Sequence, residues 1–332
     1  MPTKTTPAQY ALILIDMVEQ RGGERQQLLQ GTSMASGSFA SIGARVEETD
    51  FSGLVTNALS MTRDPALGLH LGMRLNLGAH AILGQAFMTC RNLGEALDLF
   101  LKYHHLLSSN LSLAFDAGED WCCLASTERP LELPEQFSYE LLFAGILNTL
   151  RGLLNDPNLE VHVDFPYPAP DHADDYYRVF GPQVRFDCAK PALRFHSRLL
   201  TTALPASNPA LRSLYEQECA RLLADLESEM SVEEQTLRLL RKLEGQYPQM
   251  PQVAHMLNLS ARTYRRRLQD EQQSFQNLLD RVRAEHATHY LINTRLPLST
   301  IAYMVGFNDS SNFRRAYAKW TGDSPGEVRR GG

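Results

Sequence analysis

Four arginines lie within six residues of one short segment, in a chain whose formal net charge is −6. The segment reads LSARTYRRRLQDE, and its arginines include Arg262, Arg265 and Arg266. A guanidinium group presents its N–H donors in a rigid plane, so it forms paired hydrogen bonds to phosphate and to the edge of guanine. These residue types favour contact with a nucleic acid. The alternative is a solvated basic face of a helix.

A second segment nearly repeats the residues around this cluster. VAHMLNLSARTYRRRLQDE and IAYMVGFNDSSNFRRAYAKW align at an offset of about 48 residues. In each copy a small Ala precedes Asn258 or Gly306, and these residue types tolerate the positive φ of a tight turn. Ser260 in one copy, and Asp309 or Ser310 in the other, follow as helix caps. The repeat therefore predicts two helix-turn-helix units.

The second helix of each predicted unit presents polar side chains about one turn apart on one face. A helix fits the major groove of B-DNA, where Arg reads guanine, Asn reads adenine and further arginines contact phosphate. Because the pattern occurs twice, a merely solvated basic face is the less favoured alternative. The sequence predicts double-stranded DNA as a partner. The predicted contact residues are Arg262, Arg265, Arg266, Ser311, Asn312 and Arg315.

Charge is distributed unevenly along the chain. Residues from Pro251 to Gly332 include twelve Lys and Arg against seven Asp and Glu, a net charge of +5. The remaining 250 residues include twenty against thirty-one, a net charge of −11. This asymmetry predicts a polyanion-binding module at the C-terminal end of an acidic domain.

Residues from about 245 to 330 resemble the DNA-binding domain of the AraC/XylS family of bacterial transcription regulators. LSARTYRRRLQDE, SFQNLLDRVRAEHATHYL and LPLSTIAYMVGFNDSSNFRRAYAKWTGDSPGEVR carry the resemblance. It implies an all-α domain with two helix-turn-helix units joined by a long helix, here Ser274 to Asn293, and with the six residues above at the recognition positions. It also implies promoter DNA as the target, activation as the usual outcome and RNA polymerase as a partner. Gln273 stands where that family usually has a turn glycine.

The preceding 200 residues are expected to form an α+β regulatory domain. Short apolar runs such as WCCLAS and LEVHVDF predict strands, and longer segments show helical spacing. The stretch PALGLHLGMRLNLGAHAILGQAFMTCRNLGEALDLFLKYHHLL resembles the arabinose-binding-like domain of a subset of the same family. That subset includes regulators of ornithine use and of virulence. Since the domain can hold a small effector in relatives, the resemblance favours a small-molecule effector without identifying it.

Pro, Ser and Thr accumulate in TTALPASNP, and such composition is typical of a domain boundary. We therefore expect a regulatory domain at 1–200, a linker with an amphipathic helix at 201–232, and the DNA-binding domain at 233–332. The helix, expected from Asn208 to Met230, has an apolar stripe on one side. The stripe either pairs two chains in a homodimer or packs on its own first domain, and the sequence favours neither.

Aromatic and aliphatic residues are dense between Phe87 and Phe143, which suits a hydrophobic core and a ligand pocket equally. A pocket of this composition would bind a small, partly apolar effector and orient it through a few polar groups. The candidate lining residues are Phe87, Tyr103, His104, Phe143 and Arg151. The alternatives are a domain that only dimerises and a domain with an unrecognised enzymatic activity.

The sequence contains no GxSxG elbow, P-loop or GxGxxG motif. His104 and His105 are adjacent, so on a helix they point about 100° apart and do not form the i, i+4 pair that suits a metal. We expect no enzyme, no cofactor and no metal. Five cysteines without a CxxC pair favour free thiols in a reducing compartment. With no apolar run of roughly 18 residues and no signal peptide, the expected location is the cytoplasm, without membrane insertion.

Overall fold

The structure is a computed structural model that describes residues 4–35, 43–108, 111–127, 133–229, 231–243, 245 and 247–331. Its contacts divide the chain into an N-terminal unit, Thr3–Leu226, and a C-terminal unit, Glu227–Gly332. The N-terminal unit combines helices with a sheet, and the C-terminal unit is helical throughout its described residues. The predicted fold class, α+β followed by all-α, is confirmed.

The N-terminal unit alternates helices with short strands. Its helices are α1 (Ala8–Gln20), α2 (Arg25–Leu28), α3 (Glu48–Thr62), α4 (Leu67–Gly72), α5 (Ala81–Met88), α6 (Leu93–Tyr103), α7 (Glu135–Leu154), α8 (Ala173–Phe180) and α9 (Pro209–Glu229). Its strands are β1 (Thr5–Pro7), β2 (Arg45–Glu47), β3 (Leu113–Ala117), β4 (Trp121–Ser126), β5 (His162–Asp164), β6 (Val184–Arg185) and β7 (Ala192–His196). Single 3₁₀ turns lie at Ser33–Ala35, Leu77–His80, His104–Leu106 and Ser197–Thr201.

The larger sheet has the strand order β3-β4-β7-β5-β6, and its pairings are antiparallel except for β5 with β6. Alternate residues of β4 are buried, as the period of a strand requires when one face covers a core. Leu124 of β4 and Phe195 of β7 lie on this inner face. β1 and β2 form a separate two-stranded antiparallel pair.

Helix α7 contributes to both hydrophobic cores of the N-terminal unit. Phe137 and Leu141 belong to the core around α1 and α3, whereas Phe143 and Leu147 belong to the core over the larger sheet. A Cβ added at Gly72 of α4 would lie only 2.6 Å from the Ala144 side chain. Glycine is therefore required at this position for α4 and α7 to pack so closely.

The amphipathic helix α9 packs on the N-terminal unit. The Asn208 side chain caps it by accepting a hydrogen bond from the Leu211 N–H at 3.1 Å. Cys219 is fully buried in the core over the larger sheet, and Tyr215 packs against the same core. Leu211, at the start of the predicted stripe, is 41% exposed. Packing on its own unit therefore accounts for most of the stripe, and Met230, the predicted end of the helix, lies outside the described residues.

The C-terminal unit consists of α10 (Val232–Lys242), α11 (Met250–Met256), α12 (Ala261–Asp270), α13 (Phe275–Asn293), α14 (Leu298–Met304), α15 (Ser310–Thr321) and α16 (Pro325–Gly331). Helix α13 is the predicted joining helix and begins after its cap, Ser274. It serves two small cores: Leu278 and Val282 pack with α10 to α12, and Ala287 and Leu291 pack with α14 and α15. The single long helix thus supports both predicted helix-turn-helix units.

Candidate nucleic-acid interface and ligand cavity

The first helix-turn-helix unit consists of α11, a tight turn and α12. Asn258 adopts a φ of 55°, the left-handed conformation expected there. The Leu259 N–H donates to the Ala254 carbonyl at 2.8 Å, closing the turn. The Ser260 hydroxyl then accepts a hydrogen bond from the Thr263 N–H, which caps α12. The local sequence thereby sets the angle at which α12 leaves the turn.

The second unit repeats this turn with α14 and α15. Gly306 has a φ of 84°, and the Phe307 N–H donates to the Ala302 carbonyl at 2.9 Å. The cap is Asp309, whose side chain accepts from two backbone N–H groups. Because one more residue separates the turn from the cap here, the two copies correspond at an offset of 48 residues before the caps and 49 from the caps onward.

Helices α12 and α15 each bury one side and expose the other. Tyr264 and Leu268 of α12, and Phe313 and Tyr317 of α15, fill the cores below. At 3.6 residues per turn, the positions two before and two after Tyr264 lie on the opposite side. The predicted contact residues are all exposed: Arg262, Arg265, Arg266, Ser311, Asn312 and Arg315.

The offset of 49 residues determines which residues of α12 and α15 correspond. Arg262 matches Ser311 and Arg266 matches Arg315, whereas Arg265 matches Arg314. Arg314 is exposed but is not among the predicted contact residues. Aligning the two buried pairs, Tyr264 with Leu268 and Phe313 with Tyr317, places Arg314 opposite Arg265.

The exposed side chains of α12 and α15 differ in their hydrogen bonds. On α15, the Asn312 amide donates to Asp309 at 2.5 Å, and its oxygen accepts from Arg315 at 2.7 Å. The Asn312 backbone N–H also keeps the pKa of the Asp309 carboxyl below its usual value. On α12, Arg262 and Arg266 form no hydrogen bond or ion pair with the described residues. Helix α12 therefore presents uncommitted guanidinium groups, and α15 presents a small hydrogen-bonded network.

Arg283 of α13 stacks between two aromatic rings. Its guanidinium carbon lies 5.3 Å from the ring centroids of both Tyr247 and Phe307. Burial lowers the pKa of Arg283 below its ordinary value. Tyr247 precedes the first helix-turn-helix unit, and Phe307 belongs to the turn of the second. The stack therefore links the joining helix to both units.

The left-handed turn residue after α12 lies one position before the one expected from the family resemblance. The sequence comparison placed it at Gln273, but the residue with a left-handed backbone after α12 is Gln272, with a φ of 58°. The Gln273 N–H instead donates to the Leu268 carbonyl at 2.8 Å.

The N-terminal unit contains a partly open cavity of about 120 Å³. It is lined mainly by apolar side chains of α6, α7 and the inner face of the sheet. Its lining residues are Thr6, Tyr10, Leu75, His80, Phe87, Leu93, Ala96, Leu97, Phe100, Leu107, Ser108, Leu111, Leu124, Ser138, Leu141, Leu142, Gly145, Ile146, Thr149, Leu150, Leu153 and Phe195.

Of the five residues predicted to line a pocket, the cavity includes Phe87 alone. Tyr103 and Phe143 are buried in the surrounding core. His104 lies in the 3₁₀ turn after α6, with its Nδ1 3.0 Å from the Leu101 carbonyl. Arg151 lies on α7, where burial lowers its pKa. Composition alone does not separate cavity lining from core, because the side-chain directions that distinguish them depend on the fold.

A polar row missed by the sequence prediction lies along the cavity. The Tyr10 hydroxyl lies 2.8 Å from His80 Nδ1, and His80 Nε2 lies 2.8 Å from the Thr149 hydroxyl. Burial lowers the pKa of His80 to about 4, so its imidazole is neutral at neutral pH. Tyr10 and His80 are 70 positions apart in the sequence, and His80 and Thr149 are 69 positions apart. No motif in the sequence connects them.

Within the described ranges, no three His, Cys, Asp or Glu side chains cluster as ligands for a metal ion. None of the described helices is both long and apolar enough to cross a membrane. The cysteines are free thiols, three of them buried.

Comparisons with known proteins agree with this architecture. A family profile described as "Arabinose-binding domain of AraC transcription regulator, N-term" matches residues 22–204, and one described as "Helix-turn-helix domain" matches residues 253–331. The chain is 38% identical to the ornithine utilization regulator of Pseudomonas aeruginosa over 97% of this chain and 96% of that protein. It is 26% identical to the HTH-type transcriptional regulator VqsM of the same organism, over 79% of this chain and 83% of that protein.

A solved structure also aligns over nearly the whole chain. The crystal structure of transcriptional regulator CdpR from Pseudomonas aeruginosa covers 97% of this chain and 98% of its own, with a TM-score of 0.48 and 23% identity. The two helix-turn-helix units and the N-terminal domain define a DNA-binding transcription regulator with a ligand-binding type of N-terminal domain. The chain belongs to the AraC family of transcription regulators.

Proposed function

We propose that the chain binds promoter DNA by inserting α12 and α15 into successive major grooves, and that an effector in the N-terminal cavity modulates this binding. The proposal that α12 and α15 bind DNA is supported by one observation. The two helix-turn-helix units pack on the same joining helix, α13, and each leaves the outer face of its capped second helix exposed. Such helices enter the major groove, and their exposed Arg and Asn side chains suit base and phosphate contacts.

The proposed contact residues are Arg262, Arg265 and Arg266 on α12, and Ser311, Asn312 and Arg315 on α15. Arg265→Ala and Arg315→Ala are each expected to weaken specific binding by about 1–3 kcal/mol, because each removes a guanidinium able to contact guanine. Lys190→Ala is the matched control, since it removes a positive charge from an exposed position of the N-terminal unit. Affinities are measured on one promoter fragment at fixed salt concentration, and wild-type affinity in both arginine variants would exclude these docking residues.

The paired geometry has its own test. Two helices in successive major grooves contact one face of the DNA about 34 Å apart. Hydroxyl-radical footprinting is expected to show two protected regions separated by one helical turn. A single protected region would mean that only one unit contacts DNA.

The second part of the proposal assigns the cavity to a small, mainly apolar effector. Support comes from its apolar lining and from the matched N-terminal domain family. An effector that changes DNA affinity tenfold needs about 1.4 kcal/mol of coupling, and promoter DNA must change effector affinity by the same factor. Calorimetric titration of the full chain with and without promoter DNA measures both sides of this cycle.

Activation of transcription, contact with RNA polymerase and pairing of two chains complete the proposal, on the strength of the family alone. Run-off transcription with purified polymerase tests the first two. Sedimentation of the full chain with and without promoter DNA tests the third.

A further inference from the structure

The polar row along the cavity has a defined direction of hydrogen bonding. The Thr149 hydroxyl donates its proton to the Gly145 carbonyl at 2.8 Å. Toward His80 it can therefore only accept, so His80 carries its proton on Nε2. His80 Nδ1 is then an acceptor, and it receives the proton of the Tyr10 hydroxyl. Every proton of this row is engaged within the protein.

The remaining hydroxyl groups of the cavity lining also donate their protons to acceptors within the protein. Thr6 donates to the Leu107 carbonyl at 2.9 Å. Ser108 donates to the Glu48 carboxylate at 3.0 Å, and Ser138 donates to the Pro134 carbonyl at 3.2 Å. A hydroxyl oxygen whose proton is engaged still has lone pairs that can accept. The described side chains of the lining therefore offer hydrogen-bond acceptors to a ligand, and they include no Lys, Arg, Asp or Glu.

We infer that this cavity selects an uncharged, mainly apolar molecule whose polar group is a hydrogen-bond donor, as in a phenol or an alcohol. The inference rests on the proposed function of the cavity as the effector site. A donor can reach the lone pairs of Tyr10 or Thr149, whereas a carbonyl oxygen would meet other acceptors among the described side chains of the lining. A carboxylate or a free amino acid would carry charge into a lining without a charged partner, which is unfavourable.

The size of the cavity limits the probes that test this inference. An apolar cavity of about 150 Å³ in another protein accommodates benzene. A cavity of about 120 Å³ therefore suits a single ring or a short chain of similar bulk. Phenol, fluorobenzene, benzaldehyde and benzoate share the ring and differ in one substituent: a donor, a nearly isosteric group without a donor, an acceptor and a charge.

The experiment follows fluorobenzene by ¹⁹F NMR in the presence of the full chain and measures its displacement by the other three compounds. Phenol is expected to bind at least fivefold more tightly than benzaldehyde, and benzoate is expected not to compete. If benzaldehyde or benzoate binds as tightly as phenol, the selection for a donor is wrong while the cavity remains a binding site. If none of the four compounds binds, the effector site itself is also wrong.

A variant of Thr149 tests the mechanism of selection. Thr149→Val preserves the shape of the side chain but removes the acceptor for His80 Nε2–H, which leaves an N–H donor beside the cavity. The preference for phenol over benzaldehyde is expected to fall to within twofold or to reverse, and Thr149→Ser is expected to restore it.

The matched control is Thr56→Val on the exposed side of α3. The Thr56 hydroxyl makes the same kind of bond to a preceding helical carbonyl, that of Ser52 at 2.9 Å. This control is expected to leave the probe preference unchanged. An unchanged preference in Thr149→Val as well would overturn the assigned hydrogen-bond direction, and circular dichroism verifies that each variant is folded.

Discussion

The two helix-turn-helix units have the same turn and the same spacing of buried residues, but they differ in the exposed side chains of α12 and α15. The closing hydrogen bonds of their turns measure 2.8 and 2.9 Å, and each recognition helix buries two side chains four residues apart. On the exposed side, α12 presents a cluster of arginines, whereas α15 holds Asn312 between its cap and Arg315. The comparison shows that the two units keep the buried positions alike and differ at the exposed positions, where we propose that DNA specificity is set.

The units also complete their cores with different helices. The core of the first includes Val232 and Leu240 of α10. Val328 of α16 packs against the core of the second. Among the described helices, α13 is the one that contributes to both cores. Each unit is therefore expected to have its own local stability, with α13 and the Arg283 stack between them.

The largest expected effect comes from emptying one of these cores. Tyr264→Ala and Phe313→Ala should each reduce the free energy of unfolding of the affected unit by about 3–5 kcal/mol, because both side chains are fully buried. Hydrogen exchange is expected to show lost protection in α12 for the first variant and in α15 for the second. Tyr303→Ala, at a position that is 77% exposed, is the control. Equal loss of protection in both helices would mean that the two units unfold together.

The next effect distinguishes the predicted domain boundary from the structural one. A fragment of residues 233–332 lacks Val232, which is buried, and Ser231, whose side chain caps α10. It also lacks the Val232 N–H that donates to the Glu271 side chain at 2.9 Å. A fragment of residues 227–332 retains these groups and should be more stable toward urea by roughly 2–4 kcal/mol. Identical urea midpoints would show that Ser231 and Val232 contribute little to the stability of the first unit.

A smaller effect is expected from the two caps. Ser260→Ala and Asp309→Ala should each cost about 1 kcal/mol of stability, since each leaves N–H groups of a helix start without a protein acceptor. Asp309→Ala should in addition release the Asn312 amide and change sequence preference at the bases read by α15, whereas Ser260→Ala should not. Binding measured against a set of single-base promoter variants distinguishes the two. Asp309→Asn, which keeps a capping oxygen, serves as the control.

The smallest effect concerns the residues that follow the recognition helices. Both chain segments turn through a left-handed residue, Gln272 after α12 and Gly322 after α15, with φ values of 58° and 85°. Gly322→Ala should destabilise the second unit by about 1 kcal/mol, because a Cβ disfavours that conformation. Gln272→Gly should stabilise the first by less than about 1 kcal/mol, since the relief of strain is offset by greater freedom in the unfolded chain. Thermal melts test whether Gly322→Ala lowers the melting temperature while Gln272→Gly raises it.

Much of the C-terminal unit could be predicted because its signals are local. A cap, a turn residue with positive φ and an apolar residue after the turn lie within a few positions of one another, so their spacing specifies the turn directly. The predicted offset of about 48 residues holds up to the turn, and one additional residue before Asp309 makes it 49 from the caps onward. Arg314, the counterpart of Arg265, was not among the predicted contact residues.

The sequence by itself determined the fold class, the two repeated units and the exposure of the proposed contact residues, because helix periodicity and capping act over a few residues. Only the tertiary structure decided which apolar side chains line the cavity and which fill the core, since both have the same composition. It also brought Tyr10, His80 and Thr149 together from α1, a 3₁₀ turn and α7. Contacts between residues about 70 positions apart depend on the packing of whole elements, and no local pattern encodes them.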